Sequence, residues 1–248
     1  MYSLNVLPTA QIDCDEKVLF QGGDQSRTRR IDCFSYLLTG ENRVILIDTG
    51  IMDIEAVNRT KRGKDFWRRE EPDADLPAQL LKHGYRPEQV TDIILTHAHY
   101  DHISGVPLLV NANVYISERE WDVLYSRDNP MKGELLQVQE FLEKRRRQGF
   151  VFLTHETDQV YEDVFLFRVG GHSAGSQMIR TLTQLGETVF TGDAVFLREN
   201  IEKNCPIGFS QFPEEAARAI WLCRKNPAVY MTGHDLLCLD QGRGGENK

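Results

Sequence analysis

The sequence predicts a mixed α/β domain in which two packed β-sheets lie between outer helices, an αβ/βα sandwich. Apolar, β-branched runs and helical patterns follow one another in the order strands, helices, strands, helix and strand. The 248 residues, 41% of them hydrophobic, suffice for one sizeable core and do not demand two domains. Each unusual polar cluster comes directly after a predicted strand, so we expect a functional site at one edge of the sandwich.

The first third of the chain predicts β-strands. Residues 1–8 lack the basic region and long apolar run of a signal peptide and are predicted to form the first strand. Strands over 31–38 and 43–48 follow, and the second of these is continuously apolar until Asp48, which is typical of burial on both faces. Residues 51–73 are charged and aperiodic, and we expect a long functional loop there.

The rest of the chain alternates between helical and strand patterns. Helices are predicted over 75–83, 118–125, 134–148 and 213–223, and strands over 92–96, 150–153, 164–169, 178–185, 188–191 and 229–231. One domain over residues 1–240 contains all of them, and the Gly-rich polar segment 241–248 predicts a mobile tail.

Composition excludes several classes of partner. A formal net charge of -8 argues against nucleic acid or an anionic membrane surface as the main partner. No run of 18 apolar residues, the length needed to span a membrane, is present. The five cysteines are odd in number and lack Cys-x-x-Cys spacing, which favours reduced thiols. We therefore expect a cytoplasmic protein that binds neither nucleic acid nor membrane.

The strongest chemical motif is His-Ala-His-Tyr-Asp-His at residues 97–102. On an extended segment, His97 and His99 point to the same side and can converge on one metal ion. Asp101 and His102 follow as the chain turns, and they can reach a second ion. The alternative is a polar surface cluster, which we disfavour because grouped buried histidines would be costly if they were protonated.

Three further candidates occur beside glycines. They are His172 in Gly-Gly-His, Asp193 in Gly-Asp and His234 in Gly-His. Glycine allows the backbone to approach a site closely. Taken singly, each residue could be structural, but together with the first cluster they supply the missing ligands. We assign no role to the other histidines, His83 and His155.

This combination resembles the metallo-β-lactamase superfamily, whose signature is His-x-His-x-Asp-His followed by Gly-His, Gly-Asp and Gly-His. Asp48-Thr49-Gly50 matches an early Asp-Thr-Gly motif of the superfamily. The chain is most similar to the N-acyl-homoserine lactonases of the quorum-quenching type, over about residues 2–240. That likeness includes the strand with Tyr36 and the segment Ser117–Trp121.

The resemblance implies the metallo-β-lactamase fold, two divalent metal ions and hydrolysis of a lactone or related ester. The first ion would take His97, His99 and His172, the second Asp101, His102 and His234, and Asp193 would bridge both. Zinc suits these donors best, although cobalt, manganese or iron fit them too. A metal-bridging hydroxide would attack the carbonyl, and Asp101 would pass a proton to the leaving group. Asp48 would orient a metal ligand, unless it is only a turn residue.

Two positions depart from the lactonase pattern. Phe196 replaces a tyrosine whose hydroxyl donates to the substrate carbonyl, and phenylalanine cannot donate. We advance Tyr100 as the substitute donor; the alternative is an aromatic side chain in the pocket wall. Ser176 stands where these lactonases often have a histidine.

The substrate pocket is predicted from apolar residues in and near the 51–73 loop. Met52, Phe66, Trp67 and Phe196 could line a groove for an acyl chain, or they could pack the loop onto the body of the protein.

Several alternatives remain open. A thioesterase or another ester hydrolase would use the same ligands. The acidic charge disfavours a phosphodiesterase, and the absence of a signal peptide disfavours a β-lactamase. A metal-dependent binding or sensor module with little turnover is the alternative outside catalysis. Oligomerisation is possible.

Overall fold

The structure, a computed structural model, describes residues 1–40, 42–60, 67–69, 74–129, 131, 133 and 135–235. Eleven strands form two sheets within this part of the chain. The first sheet has the order β1 Ser3–Asp15, β2 Thr28–Gly40, β3 Arg43–Ile47, β4 Asp92–Ile94, β5 Asn113–Ser117 and β6 Val151–Thr154. The second has the order β11 Val229–Thr232, β10 Gly186–Gly192, β9 Gln177–Thr183, β8 Val164–Arg168 and β7 Thr157–Tyr161.

Eight α-helices connect the strands in the described ranges. They are α1 Glu16–Leu19, α2 Ile54–Thr60, α3 Leu76–Lys82, α4 Tyr100–Ile103, α5 Glu118–Tyr125, α6 Leu136–Arg147, α7 Arg198–Glu202 and α8 Pro213–Lys225. Short 3₁₀ turns occur at Pro87–Gln89 and Val106–Leu108.

Both sheets combine antiparallel and parallel pairing. Strands β1, β2 and β3 are antiparallel, with Leu38 opposite Ile45, whereas β3 to β6 run parallel. In the second sheet β7 to β10 are antiparallel, and β11 pairs parallel with β10. The carboxyl ends of parallel neighbours lie at the same sheet edge, so the loops after β3 and β4, and those after β10 and β11, are brought together.

Three apolar layers hold the sandwich together. Between the sheets, residues such as Ile45 and Ile47 of β3 pack with Ile179 and Phe190 of the second sheet. On the outer face of the first sheet, a second cluster joins its strands to the buried sides of α3, α5 and α6. On the outer face of the second sheet, a further cluster joins it to α8. This is the predicted αβ/βα sandwich, and the burial of such apolar surface is its main source of stability.

The local sequence pattern was enough to place the start of helix α3 but did not reveal helix α2. Helix α3 begins where predicted because the Asp75 side chain accepts a hydrogen bond from the Ala78 amide at 2.9 Å, the usual N-cap arrangement. The prediction of an irregular loop throughout 51–73 is wrong, since α2 lies inside it. Asp53 caps that helix through the Ala56 amide at 2.8 Å, and its apolar positions, including Val57, pack into the core.

Strands β5 and β7 and the short helices α1, α4 and α7 were also not predicted. Strand β1 extends beyond the predicted residues 1–8 as far as Asp15. Phe66 and the tail 241–248 lie outside the described residues. No helix in the described ranges has the length and apolar character to cross a membrane.

Candidate metal centre

The seven residues predicted as metal ligands lie on loops or short helices that follow strands of both sheets. His97 and His99 follow β4, and α4 carries Asp101 and His102. The other three follow β8, β10 and β11 and are His172, Asp193 and His234. All of them except His99 are buried. The order of the sheets therefore brings residues far apart in sequence to one edge of the sandwich.

Two groups of donor atoms form at this edge, and in each the atoms lie within 4.8 Å of one another. The first group is His97, His99, His172 and Asp193, and the second is Asp101, His102, Asp193 and His234. This is the division that the family resemblance implied.

Asp193 lies between the two groups. Its Oδ2 is 3.6 Å from His97 Nε2 and 3.2 Å from His172 Nε2. Its Oδ1 is 3.2 Å from His102 Nε2 and 3.0 Å from His234 Nε2. One carboxylate therefore faces both groups, as a bridging ligand must.

Glycines make this approach possible. A side chain at Gly233 would place its Cβ 2.6 Å from Asp193 Oδ1, and one at Gly192 would lie 2.5 Å from Thr96 Cβ. Gly192 also has a φ of +49°, in the left-handed region that glycine enters readily. The Gly-Asp and Gly-His pairs of the sequence thus have a steric cause.

Backbone carbonyls orient two of the histidines. His172 Nδ1 lies 3.0 Å from the carbonyl oxygen of Phe209, and His234 Nδ1 lies 2.7 Å from that of Asp32. A carbonyl can only accept, so each Nδ1 carries the proton. The Nε2 atoms are then unprotonated in the neutral rings and face Asp193, which is the state that a metal ligand requires.

Asp48 orients a third histidine. Its Oδ2 lies 2.8 Å from His102 Nδ1 and accepts a hydrogen bond from Thr96 Oγ1 at 2.7 Å, while Oδ1 accepts from the Thr96 amide at 2.8 Å. His97 Nδ1 is 3.1 Å from the same Thr96 hydroxyl. Asp48 has a φ of 57°, uncommon outside glycine. It thus contacts one candidate ligand directly and a second through Thr96.

The donor atoms fit divalent metal ions. Among the described residues, His97 Nε2, His102 Nε2 and Asp193 Oδ1 are buried atoms without a hydrogen-bond partner. Such orphaned polar atoms are costly, and a cation would compensate them. His99 Nδ1 and His172 Nε2 lie only 2.7 Å apart, which places two more donors at one point. The set of imidazole and carboxylate donors is one that zinc accepts.

Electrostatics differ between the two groups. Burial lowers the pKa of His97 well below its usual value, lowers that of His99, and lowers that of His172 to about 4. Burial has the same effect on His102 and His234, but Asp193 and Asp101 outweigh it, and the pKa of each ring is raised.

The two carboxyls of the centre are acidic. Burial opposes ionisation of Asp101, but the neighbouring His102 lowers its pKa to about 2. In the same way His102 and His234 hold the pKa of Asp193 well below its usual range, against the effect of burial. Both side chains are therefore anionic at neutral pH.

Tyr100 and Trp67 form one aromatic pair beside the centre. Trp67 Nε1 donates a hydrogen bond to Tyr100 Oη at 2.5 Å, and the rings meet edge to face at 5.6 Å. Trp67 is buried and packs into the core, so it fixes the 67–69 segment to the body. Tyr100 is partly buried.

Phe196 lies against the metal-ligand candidates themselves. Its ring is 5.3 Å from the His172 ring and 5.2 Å from the His234 ring, edge to face in both cases, and only 3% of the residue is exposed. The position that departs from the lactonase pattern therefore borders both groups of donors.

The remaining predicted pocket residues are less tightly tied to the centre. Met52 is half-buried, and its amide donates to Ser104 Oγ at 2.8 Å. Phe66 lies outside the described residues. Phe209, with 55% of its surface exposed and its ring 5.4 Å from that of His172, offers an apolar wall at the rim.

Two residues beside the centre were missed by sequence reasoning. Cys33 is buried with Sγ 3.6 Å from Asp101 Oδ2 and 3.5 Å from His234 Nδ1. Burial raises the pKa of this thiol well above its usual value, so it is protonated and can donate to Asp101. Glu120 is buried between the ligand loops. Nothing local marks Cys33, and the helix predicted over 118–125 contains Glu120 without indicating its contacts.

Comparison with known proteins finds relatives among N-acyl homoserine lactonases. The N-acyl homoserine lactonase AiiA of Bacillus thuringiensis subsp. kurstaki is 25% identical over 244 residues, covering 94% of this chain and 93% of AiiA. An N-acyl homoserine lactonase of Bacillus cereus is 28% identical over 214 residues, covering 81% and 80%.

Solved structures share the fold. One is an N-acyl homoserine lactone hydrolase with the product N-hexanoyl-L-homoserine at its catalytic metal centre, with a TM-score of 0.78, 22% identity and coverage of 98% and 96%. Another is AidC, a dizinc quorum-quenching lactonase, with a TM-score of 0.71, 16% identity and coverage of 94% and 87%. The metallo-beta-lactamase superfamily domain is matched over residues 28–234, most of the chain. The protein therefore belongs to the metallo-beta-lactamase superfamily.

Proposed function

We propose that this protein is a dinuclear metal-dependent hydrolase that opens the ring of N-acyl-homoserine lactones or closely related lactones. The observation that carries the proposal is the pair of four-residue donor groups that share Asp193. The relatives named as N-acyl homoserine lactonases, which align over most of the chain, support the substrate class.

The metals that we propose are two zinc ions, which the two donor groups would hold, with Asp193 common to both groups. When bound, such ions polarise an ester carbonyl and lower the pKa of water, which generates the nucleophile. Four of the histidines have their outer Nδ1 in contact with a carbonyl, a hydroxyl or a carboxylate, and this holds each Nε2 toward the centre.

Asp101 is proposed to move the proton. As a carboxylate at neutral pH, Asp101 can start as a proton acceptor. Ring opening requires this order, because a proton leaves the attacking water before one is needed by the departing alkoxide. The Cys33 thiol, 3.6 Å from Asp101 Oδ2, holds one carboxylate oxygen in place.

The acyl chain is proposed to lie along Met52, Trp67 and the two phenylalanines Phe196 and Phe209. Tyr100 is the proposed donor to the substrate carbonyl in place of the tyrosine that Phe196 lacks. Tyr100 Oη accepts the hydrogen bond from Trp67 Nε1, and a tyrosine hydroxyl can donate as well as accept.

We place the protein in the cytoplasm because the four described cysteines are free thiols, as expected in a reducing compartment.

The proposed partner is a small lactone. The absent hydroxyl at Phe196 favours one other candidate, a thioesterase or another ester hydrolase in which the carbonyl is polarised without that donor.

The test is ring opening of short-chain and long-chain acyl-homoserine lactones, simple lactones and an acyl thioester by zinc-loaded protein. His97→Ala should abolish turnover, and His155→Ala is the matched control, because that side chain is 63% exposed and pairs with Glu118. Lactone opening that depends on zinc and on His97 supports the proposal. If zinc-loaded protein hydrolysed only the thioester, the second candidate, a thioesterase, would replace the lactonase as the proposed function.

A further inference from the structure

Glu120 is a buried carboxylate that the proposed chemistry does not use. It is 1% exposed and lies in the first turn of α5, where the helix amides favour a negative charge. No lysine, arginine or histidine of the described ranges forms an ion pair with it. A buried acidic side chain without a cationic partner is costly, so its hydrogen bonds must compensate for the lost solvation.

Those hydrogen bonds go to the two loops that carry the first donor group. Glu120 Oε2 accepts from the Ala98 amide at 2.9 Å, and Ala98 stands between His97 and His99. Glu120 Oε1 accepts from Ser173 Oγ and from the Gly175 amide, both at 2.7 Å.

These partners are next to the histidines in the chain. Ala98 is flanked by two histidines of the first group, and Ser173 directly follows the third, His172. Asp101, His102 and His234, the unshared members of the second group, have no such neighbour bonded to Glu120 in the described structure. The carboxylate thus connects one donor group and not the other.

The position where the chain departs from the lactonase pattern belongs to the same network. Ser176 is buried, its hydroxyl lies 2.7 Å from Ser173 Oγ, and it accepts from the Ser173 amide at 3.1 Å. A side chain at Gly175 would meet the Glu120 amide at 2.6 Å, so the loop packs directly on the start of α5. Serine at 176 therefore supports the hydroxyl that donates to Glu120.

We propose that Glu120 is a positioning residue for the first metal ion: its carboxylate fixes the 97–99 segment against the 172–176 loop, so that His97, His99 and His172 converge. The inference rests on the proposed dinuclear centre. It assigns to Glu120 an effect on one metal position, which a purely structural role in the fold would not produce.

The experiment is a zinc titration of chelator-treated protein by calorimetry, with cobalt spectra as a second readout of the ligand field. Glu120→Gln keeps the size of the side chain but places an NH₂ group opposite an N–H or O–H donor. We expect one of the two zinc ions to bind about 10–100-fold more weakly, the usual effect of removing a hydrogen-bond partner of metal ligands, and the other to keep its affinity.

Two further variants complete the test. Glu143→Gln removes an exposed carboxylate that pairs with Arg147 of α6 and should leave both affinities unchanged. Ser173→Ala removes one of the three hydrogen bonds to Glu120 and should weaken the binding of the same zinc ion by a smaller factor. This variant tests the proposal if Glu120→Gln does not fold.

The outcomes are distinct. Equal weakening of both ions, or unchanged binding of both in a folded variant, would overturn the role of Glu120. Failure of the wild-type protein to bind two zinc ions would instead overturn the proposed centre.

Discussion

The two donor groups of the centre lie side by side, the second fully buried and the first buried except for the half-buried His99, but the pKa values of their histidines are shifted in opposite directions. The first has three histidines and the shared Asp193, and burial keeps its rings neutral. The second has two histidines, the shared aspartate and Asp101, and the carboxylates raise the pKa of both rings. Desolvation therefore decides the charge of a buried histidine only where carboxylates are few.

This difference has a consequence for metal binding. Neutral imidazoles can accept a cation without losing a proton, whereas the rings of the second group must release protons as the metal enters. We therefore expect the metal affinity of the second group to depend more steeply on pH. Asp193 belongs to both groups and is the residue through which they are linked.

The largest expected effect comes from removing that link. Asp193→Asn takes away the carboxylate that faces four histidines and should release metal from both groups. Turnover should fall by a factor of about a thousand or more, equivalent to about 4 kcal/mol of transition-state stabilisation. Metal analysis and lactone kinetics measure both effects, with Asp163→Asn as the control because that carboxylate pairs with the chain N-terminus. Retention of both metals in Asp193→Asn would show that the groups are independent.

The pH dependence of stability in the metal-free protein should separate the two groups. His172 has its pKa lowered from 6.5 to about 4 by burial, so the unfolded chain binds more protons over that window. Stability should decline as pH falls below 6.5, by about 3 kcal/mol at pH 4 from this residue. His102 has a raised pKa, so its contribution is complete below 6.5 and is lost as pH rises through the folded value.

Denaturant unfolding of chelated protein from pH 4.5 to 8.5 should therefore show a maximum near pH 6.5. His172→Gln should make the loss of stability below pH 6.5 less steep without removing it, because His97 and His99 also have lowered pKa values, and should leave the alkaline side unchanged. A stability that rises steadily toward acid pH would contradict the assignment of neutral rings to the first group.

A smaller effect is expected from a hydrogen-bond donor introduced at position 196, between the two donor groups. Phe196→Tyr adds a hydroxyl to a ring that touches both His172 and His234. We expect kcat/KM for a lactone to rise by about tenfold, mostly in kcat, because the new donor would act on charge that develops in the transition state. Phe209→Tyr, at the exposed rim, is the matched control and should change little. A fall in kcat would mean that the site polarises the carbonyl without this donor.

The smallest effect concerns the substitute donor. Tyr100→Phe should lower kcat about fivefold, the value of one hydrogen bond of about 1 kcal/mol. Trp67→Phe removes the partner that donates to Tyr100 and keeps the phenol, so it distinguishes loss of the hydroxyl from loss of its neighbour. Unchanged turnover in Tyr100→Phe would reduce Tyr100 to an aromatic in the pocket wall.

Local sequence patterns predicted the elements and site residues whose placement depends on neighbouring residues in the chain. The apolar residues of the predicted strand 43–48 indicated burial, the helical pattern over 75–83 placed α3, and the polar residues after strands placed the centre. Glycine beside Asp193 and His234 indicated close backbone approach, which Gly192 and Gly233 show.

The missed features depend on contacts between distant segments. Strand β7 is polar and forms because β8 pairs with it, and α2 lies in a charged stretch where only its inner face is apolar. The contacts of Cys33 with Asp101, and of Glu120 with both ligand loops, join residues more than 20 positions apart. Neither periodicity nor composition contains that information.

The most direct test of the account is a stepwise zinc titration of chelated protein in which bound metal and lactone hydrolysis are followed in the same samples. We predict two zinc ions per chain and activity that develops with the second, since Asp193 requires both groups to be filled to act as a bridge. Full activity with no zinc, or with a single ion and no further gain, would contradict a dinuclear centre shared through Asp193.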